Sequence, residues 1–205
     1  PGEKFIYSVS MDVLGRVAEV VSEQPLAQLF RSRLFEPLGM NSSAFRLATE
    51  NQGRLARVYQ PQIRTYPIPG NYNRYEPFAG LPKKEKNWGL SDKGYLSGGA
   101  GLMSTANDYA KFIKLLADDL VIDGAPLVSK ELKDRYFSHQ LAPGLGSSPM
   151  VYSLGGAAKN AGYAFGLGVV PEKNGNLNDP STYDYFFWQG AANTLFWVDK
   201  KTRVY

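Results

Sequence analysis

The spacing of apolar residues changes along this 205-residue chain, and that change constrains the fold more than any single motif does. Over residues 10–21 and 106–117, apolar side chains recur every three or four residues, which is typical of amphipathic helices. Over residues 163–170, apolar and small residues alternate, and two further apolar runs follow at 183–188 and 194–199. Such runs, separated by short breaks, predict antiparallel strands. The pattern therefore predicts helices in the first part of the chain and antiparallel strands at the end.

Two helices are expected before residue 41. The first covers residues 10–21 and places Glu19 on its solvent-facing side. Its apolar stripe consists of Val13, Leu14, Val17, Val20 and Val21. The second begins after Pro25, because proline suits a first helical turn, and Pro37 with Gly39 is expected to end it.

Later helix starts and the first strand are also marked in the sequence. Thr105 and Asp108 form a capping box for a helix over 106–117, and Ser129 is expected to cap a short helix over 129–137. The buried stripe of the longer helix is predicted to be Tyr109, Phe112, Ile113 and Leu116. The alternation over 163–170 predicts one strand, whose small-residue face lies against a close neighbour.

Residues 41–97 have a different texture, with scattered proline, tyrosine and arginine and no sustained period. They predict a long, mostly irregular excursion with short strands, of the kind that faces a substrate. Its aromatic residues Tyr72, Tyr75, Trp88 and Tyr95 are expected to line or cover a pocket. The segment SGGAGLMST that follows, residues 97–105, lets the backbone approach its neighbours closely.

Composition excludes several kinds of chemistry. The chain has no cysteine and one histidine, His139, so thiol nucleophiles, zinc fingers and multi-histidine metal sites are excluded. His139 is expected to be a surface or helix-end residue. The net charge of +4 comes without a dense basic cluster, which argues against nucleic-acid binding, and no apolar run is long enough to span a bilayer. The sequence leaves open whether the compartment is cytoplasmic or periplasmic.

The chain contains no recognisable serine nucleophile. In a Ser-x-x-Lys arrangement the lysine amine lies one helical turn from the hydroxyl and can accept its proton. No serine or threonine here has lysine three residues later; Ser43 has Arg46, and arginine stays protonated. The G-x-S-x-G elbow is absent as well.

Two segments remain as candidate sites. Tyr7 precedes the first helix, where its hydroxyl could act as a general base; the alternative is an aromatic side chain that only anchors the helix start. In the run WQGAAN, Gly190 separates two aromatic strands, where backbone N–H groups could stabilise an oxyanion; the alternative is an ordinary hairpin glycine.

The blocks PGEKFIYSVSMDVLGRVAEVVSEQPLAQLFRSRLFEPLGM, SGGAGLMSTANDYAKFIKLL, FGLGV and WQGAANTLFWVDKK, in that order, resemble the serine β-lactamase-like family. The similarity is closest to the family VIII carboxylesterases, which are related to class C β-lactamases and penicillin-binding proteins. The resemblance implies an α+β, β-lactamase/transpeptidase-like fold, with an antiparallel sheet flanked by helices and a helical subdomain. It also implies acyl transfer through a serine acyl-enzyme, which needs no metal or organic cofactor.

The resemblance assigns roles to two of these segments. Tyr7-Ser8-Val9 matches the family's second motif, so Tyr7 would accept the proton of the nucleophile together with a lysine. Trp188, Gln189 and Gly190 match the third motif, and the N–H of Ala191 would supply half of the oxyanion hole.

Departures from the family pattern favour a small ester, rather than an antibiotic amide, as the substrate. Val9 and Trp188 replace polar residues that engage β-lactams, and Gln189 and Asn193 replace glycines of the esterase branch. The family's Ser-x-x-Lys motif lies upstream of its tyrosine motif, and only six residues precede Tyr7.

We therefore expect residues 1–205 to form one domain truncated at both ends, with a helical and irregular part over about 10–160 and sheet strands over 161–205. The amino-terminal segment of the same domain would carry the nucleophile. The alternatives are β-lactam or D-amino-acid peptide hydrolysis, and a non-catalytic binding protein on the same scaffold.

Overall fold

The computed structural model describes residue 3 and residues 5–56, 96–142, 161–190 and 194–205, together with the backbone of two short strands at 59–61 and 75–77. The helices are α1 (Ser10–Ser22), α2 (Leu26–Phe30), α3 (Glu36–Leu38), α4 (Ala106–Ala117) and α5 (Lys130–Tyr136). The strands are β1 (Tyr59–Pro61), β2 (Tyr75–Pro77), β3 (Val121–Ile122), β4 (Ala125–Pro126), β5 (Gly162–Tyr163), β6 (Gly168–Pro171), β7 (Tyr183–Gln189) and β8 (Leu195–Val198). Tyr72, Trp88 and Tyr95 lie outside the described residues, and only the backbone of Tyr75 is described.

The main sheet has four antiparallel strands in the order β5-β6-β7-β8. Val169, Phe186 and Val198 face one another across β6, β7 and β8. They form one row of the apolar core, together with Leu115 and Leu116 from α4. The predicted α+β character and the antiparallel strands of the last part of the chain are confirmed.

The alternating segment over 163–170 is a hairpin and not the single strand that the pattern predicted. β5 pairs with β6 through Gly162–Val169 and Tyr163–Gly168. Gly166 has a φ of 81°, and the chain reverses direction between the two strands. Period-two alternation continues through the turn, so the pattern alone does not reveal the reversal.

The helix after Pro25 continues past Pro37. A wide π-helical turn, Arg31–Phe35, connects α2 to α3, and the Glu36 N–H donates to the carbonyl five residues earlier. The prediction that Pro37 takes part in ending the helix was wrong, because this proline lies inside α3, directly after the widened turn. Gly39 ends the helix in the left-handed conformation, as predicted.

Helix α1 has the predicted extent but buries a different face. Its stripe valines and Leu14 are exposed, and its one buried residue is Gly15, which packs against Leu26 and Gly98. Glu19 is not on a solvated face: its carboxylate accepts the Leu26 N–H at 2.9 Å, at the start of α2. This hydrogen bond lowers the pKa of Glu19.

The predicted helix caps are present. Thr105 accepts the Asp108 N–H at 3.2 Å, and Ser129 accepts the Leu132 N–H at 3.3 Å. Leu116 is fully buried on the stripe predicted for α4, and the other three stripe residues pack against the core. The capping box differs from the prediction in one respect. The Asp108 carboxylate is hydrogen-bonded to Ser42 and Ser43, in the loop that follows α3.

Candidate active site

Tyr7 and Trp188 lie against each other. Tyr7 is in the extended segment before α1, and Trp188 is near the end of β7. Their ring centroids are 5.5 Å apart and the rings are tilted by 48°. Two segments from opposite ends of the chain, which were selected separately from the sequence, thus meet at one place.

Two further aromatic residues complete this contact. Tyr163 on β5 lies edge-on to Trp188 with a centroid distance of 5.5 Å, and Phe5 lies 5.0 Å from Tyr163. We call Phe5, Tyr7, Tyr163 and Trp188 the aromatic cluster. Such tilted pairs add about 0.5–1.5 kcal/mol each beyond the burial of their area. The sequence placed Tyr163 on a strand but gave no signal that it would reach Trp188.

The start of α1 is joined to the glycine-rich segment that precedes α4. The Ser97 hydroxyl donates to the Asp12 carboxylate at 2.5 Å and accepts the Ala100 N–H at 3.0 Å. A Cβ at Gly98 would overlap the carbonyl oxygen of Met11, so this close approach requires glycine. The predicted close backbone approach of SGGAG is confirmed, and it fixes the helix that follows Tyr7.

Trp188 is held by the pairing of β7 with β8. It lies opposite Phe196, and Gln189 lies opposite Leu195 on β8. Beyond the strand, the Gly190 N–H donates to the Thr194 carbonyl at 2.8 Å. Ala191 lies outside the described residues, so the oxyanion role of its N–H remains a prediction.

Tyr7 is more exposed to solvent than Tyr163. The Tyr7 side chain is 39% exposed, whereas Tyr163 is half-buried. Burial raises the pKa of Tyr163, and a negative charge on Tyr7 would raise it further. Tyr163 therefore stays protonated at neutral pH and can donate a hydrogen bond.

Ser43 belongs to a different network. Its hydroxyl contacts Ser104 at 2.7 Å and donates to Asp108 at 3.0 Å. Asp108 also accepts the Ser42 N–H at 2.7 Å and forms an ion pair with Lys111 at 3.1 Å. This hydroxyl is bonded to a carboxylate that already has a cationic partner, which indicates a structural role.

Two surface depressions among the described residues lie away from the aromatic cluster. One of about 600 Å³ runs along the exposed side of α5, and one of about 540 Å³ lies at the start of α4 beside Arg54 and Lys111. Neither includes Tyr7 or Trp188. We give the aromatic cluster more weight, because two independently predicted motifs meet there.

Two absences hold for the part of the chain that the structure describes. No group of three or more histidine, aspartate or glutamate side chains is arranged to hold a metal ion there. No described helix is both long and apolar enough to cross a bilayer.

The chain is similar to known proteins along almost its whole length. The chain is 32% identical to esterase EstB of Burkholderia gladioli over 210 residues, covering 98% of this chain and 47% of EstB. It is 28% identical to protein Rv1367c of Mycobacterium tuberculosis over 207 residues, covering 97% of this chain and 46% of that protein. The chain thus spans about half the length of the curated relatives it matches.

The fold is also found among solved structures. Simvastatin synthase LovD of Aspergillus terreus superposes with a TM-score of 0.73 at 17% identity, over 99% of this chain and 49% of LovD. The family model described as Beta-lactamase matches residues 1–205, the whole chain. From its fold, its motifs and this match, we conclude that the chain belongs to the β-lactamase family.

Proposed function

We propose that this chain is the carboxyl-terminal part of a serine hydrolase that cleaves short-chain carboxylic esters through an acyl-enzyme. The nucleophilic serine and its lysine lie outside the chain in this proposal. The observation that carries it is the contact between Tyr7 and Trp188, which brings the second and third motifs of the family to one place.

Tyr7 is the proposed proton acceptor. The serine oxygen attacks the ester carbonyl carbon while its proton passes to the Tyr7 oxygen, and the Tyr7 hydroxyl proton passes to the neutral lysine amine. The carbonyl oxygen becomes an oxyanion, which the Ala191 N–H would stabilise. The C–O bond to the alcohol then breaks, the alcohol leaves with the proton, and water hydrolyses the acyl-serine by the same route. The partial exposure of Tyr7 supports this role, because the residue is accessible from solvent.

The apolar character of the site supports an ester substrate. Val9 is 63% exposed beside Tyr7 and has no polar group to bind a β-lactam amide. Trp188 presents an aromatic surface at the position where a β-lactamase would place a cation, which suits a short acyl or alcohol group. The name of the relative EstB agrees with this choice.

Hydrolysis of p-nitrophenyl acetate by the full-length protein that contains this chain tests the proposal. Loss of a general base costs roughly 10²–10⁴-fold in rate, so we expect Tyr7→Phe to lower kcat/KM by at least about 100-fold. Tyr163→Phe is the matched control, because it removes a hydroxyl from the same cluster; we expect a decrease of less than about tenfold. Equal activity of Tyr7→Phe and wild type would show that Tyr7 has no such role.

A covalent probe tests where the nucleophile lies. We expect no adduct on the 205-residue chain with a fluorophosphonate, and one adduct on the full-length protein at a serine upstream of Tyr7. An adduct within the chain would contradict this part of the proposal.

Hydrolysis of β-lactams or D-amino-acid peptides is the second candidate, favoured by the family match itself. Nitrocefin turnover that exceeds ester turnover by the same preparation would select it. A full-length sequence without Ser-x-x-Lys would favour a non-catalytic binding protein.

A further inference from the structure

His139, the only histidine of the chain, is in contact with the sheet. It follows α5, and its Nδ1 accepts the backbone N–H of Tyr163 at 3.0 Å. The backbone N–H of His139 donates to the Tyr183 hydroxyl at 3.0 Å, and that hydroxyl donates to the Leu177 carbonyl at 2.6 Å. The histidine is thus fixed at both its backbone and its ring.

The packing around the imidazole is close. A Cβ at Gly162 would overlap His139 Nδ1, so the ring occupies space that only glycine leaves free. The expectation of a surface or helix-end residue was correct about the position after the helix, but it missed this contact.

His139 and Gln140 lie along the edge of strand β5 that does not pair with β6. β5 has only two residues and pairs with β6 on its inner side. On its outer side, Tyr163 donates its N–H to His139 and accepts the Gln140 N–H at 2.8 Å. Both outward backbone groups of Tyr163 are therefore bonded to the segment that follows α5.

Tyr163 in turn contacts Trp188, which contacts Tyr7. We propose that His139 is a positioning residue of the candidate active site: its neutral ring holds Tyr163 in the aromatic cluster, and its protonation releases Tyr163. The effect on hydrolysis rests on the proposed function, whereas the effect on Tyr163 does not.

The chemical reason is the lone pair on Nδ1. A neutral imidazole can accept one hydrogen bond, but an imidazolium carries protons on both nitrogens and accepts none. After protonation, the Tyr163 N–H would face another N–H, which leaves a half-buried backbone donor without an acceptor.

The neutral form is favoured at neutral pH. Burial lowers the pKa of His139 from its ordinary value of 6.5. The ionisable group in contact with it from β7 is the phenol of Tyr183, and burial raises the pKa of that phenol; β5 contacts it through the backbone of Tyr163. The Tyr183 phenol does not change charge between about pH 5 and 8. The bond to Tyr163 is thus intact at neutral pH and is lost as the pH falls below about 6.5 and through the lowered pKa of His139.

Two substitutions separate this role from mere packing. His139→Asn places an oxygen acceptor near the position of Nδ1 and does not titrate. His139→Leu has similar bulk and no acceptor. The first measurement is hydrogen exchange of the Tyr163 amide in full-length protein labelled with ¹⁵N-tyrosine, at pH 7.5 and pH 5, corrected for the intrinsic pH dependence of exchange.

We expect wild-type protection of this amide to fall several-fold at pH 5. The Asn variant should keep its protection at both values, and the Leu variant should lack it at both. Unchanged wild-type protection at pH 5, or an Asn variant that loses protection as wild type does, would overturn the proposal.

The second measurement is the pH profile of kcat/KM with p-nitrophenyl acetate. The Asn variant should retain most of the activity at pH 7.5 and should lose less activity than wild type as the pH falls to 5. Superimposable profiles would exclude a role in catalysis. If the full-length protein hydrolyses no ester, the proposed function fails, while amide exchange still decides whether His139 positions Tyr163.

Discussion

The Ser97 hydroxyl donates a 2.5 Å hydrogen bond to the Asp12 carboxylate, and this bond joins the first turn of α1 to the segment before α4. Tyr7 lies directly upstream of that turn. The position of the proposed proton acceptor therefore depends on a contact between two residues that are distant in sequence.

Removing this bond should lower activity as well as stability. A hydrogen bond to a charged group contributes about 1.5–3 kcal/mol, so we expect Ser97→Ala and Asp12→Asn each to lower the free energy of unfolding by about 1–2 kcal/mol. Urea denaturation measures this, and kcat for p-nitrophenyl acetate should fall in parallel. Asp184→Asn, an exposed aspartate on β7, is the control and should leave both unchanged. Additive effects in the Ser97 and Asp12 double variant would show that the two residues do not interact.

Gly98 should tolerate no larger residue. Its hypothetical Cβ meets the carbonyl of Met11, which is backbone and cannot move aside without shifting α1. Overpacking of this kind costs about 1–3 kcal/mol, which we expect for Gly98→Ala in thermal or urea denaturation. Gly53→Ala is the matched control, since nothing lies within 4 Å of the added methyl group there. A Gly98→Ala protein as stable as the control would argue against the tight approach of these segments.

Asp108 should make the protein sensitive to acid. Burial works to raise the pKa of this carboxyl, but hydrogen bonds from Ser42, Lys111 and Ser43 outweigh it and hold the pKa below its ordinary value. A carboxyl with a lowered folded-state pKa stabilises the fold above its unfolded-state pKa, near 3.9, and this contribution is lost as the pH falls below it.

We expect Asp108→Asn to cost about 2–4 kcal/mol at pH 7, because a buried network loses its charge and Lys111 loses its partner. The difference from wild type should shrink between about pH 4 and pH 2. Asp134→Asn, whose carboxylate is exposed, should leave the stability nearly unchanged. A difference for Asp108→Asn that stays constant with pH would contradict this assignment.

Local patterns predicted the features that depend on neighbouring residues. The side chains of Thr105 and Ser129 bond to N–H groups three residues ahead, and such caps are visible in a short window of sequence. The tyrosine and tryptophan motifs could be selected because each is compact, although only the fold brings them together.

Features that depend on distant partners could not be predicted. Asp108 was assigned a cap from its spacing to Thr105, but its carboxylate binds Ser42, which lies 66 residues away. Nothing near Glu19 or His139 indicates that each would accept a backbone N–H, from Leu26 and Tyr163 respectively. In each case a single acceptor meets a donor on another element, and sequence periodicity carries no information about such pairs.

The exposed valines of α1 affect the order in which parts of the molecule unfold. Valine is a weak helix former, and a helix of this length owes most of its stability to a packed apolar face. Among the described residues, the valine stripe of α1 is uncovered, while the sheet core around Val169 and Val198 is completely buried. Within the chain, α1 is thus a unit of low local stability that unfolds before the sheet. On warming, the segment that carries Tyr7 would lose its place while β6, β7 and β8 remain folded, so loss of the contact between Tyr7 and Trp188 and melting of the sheet are separate events.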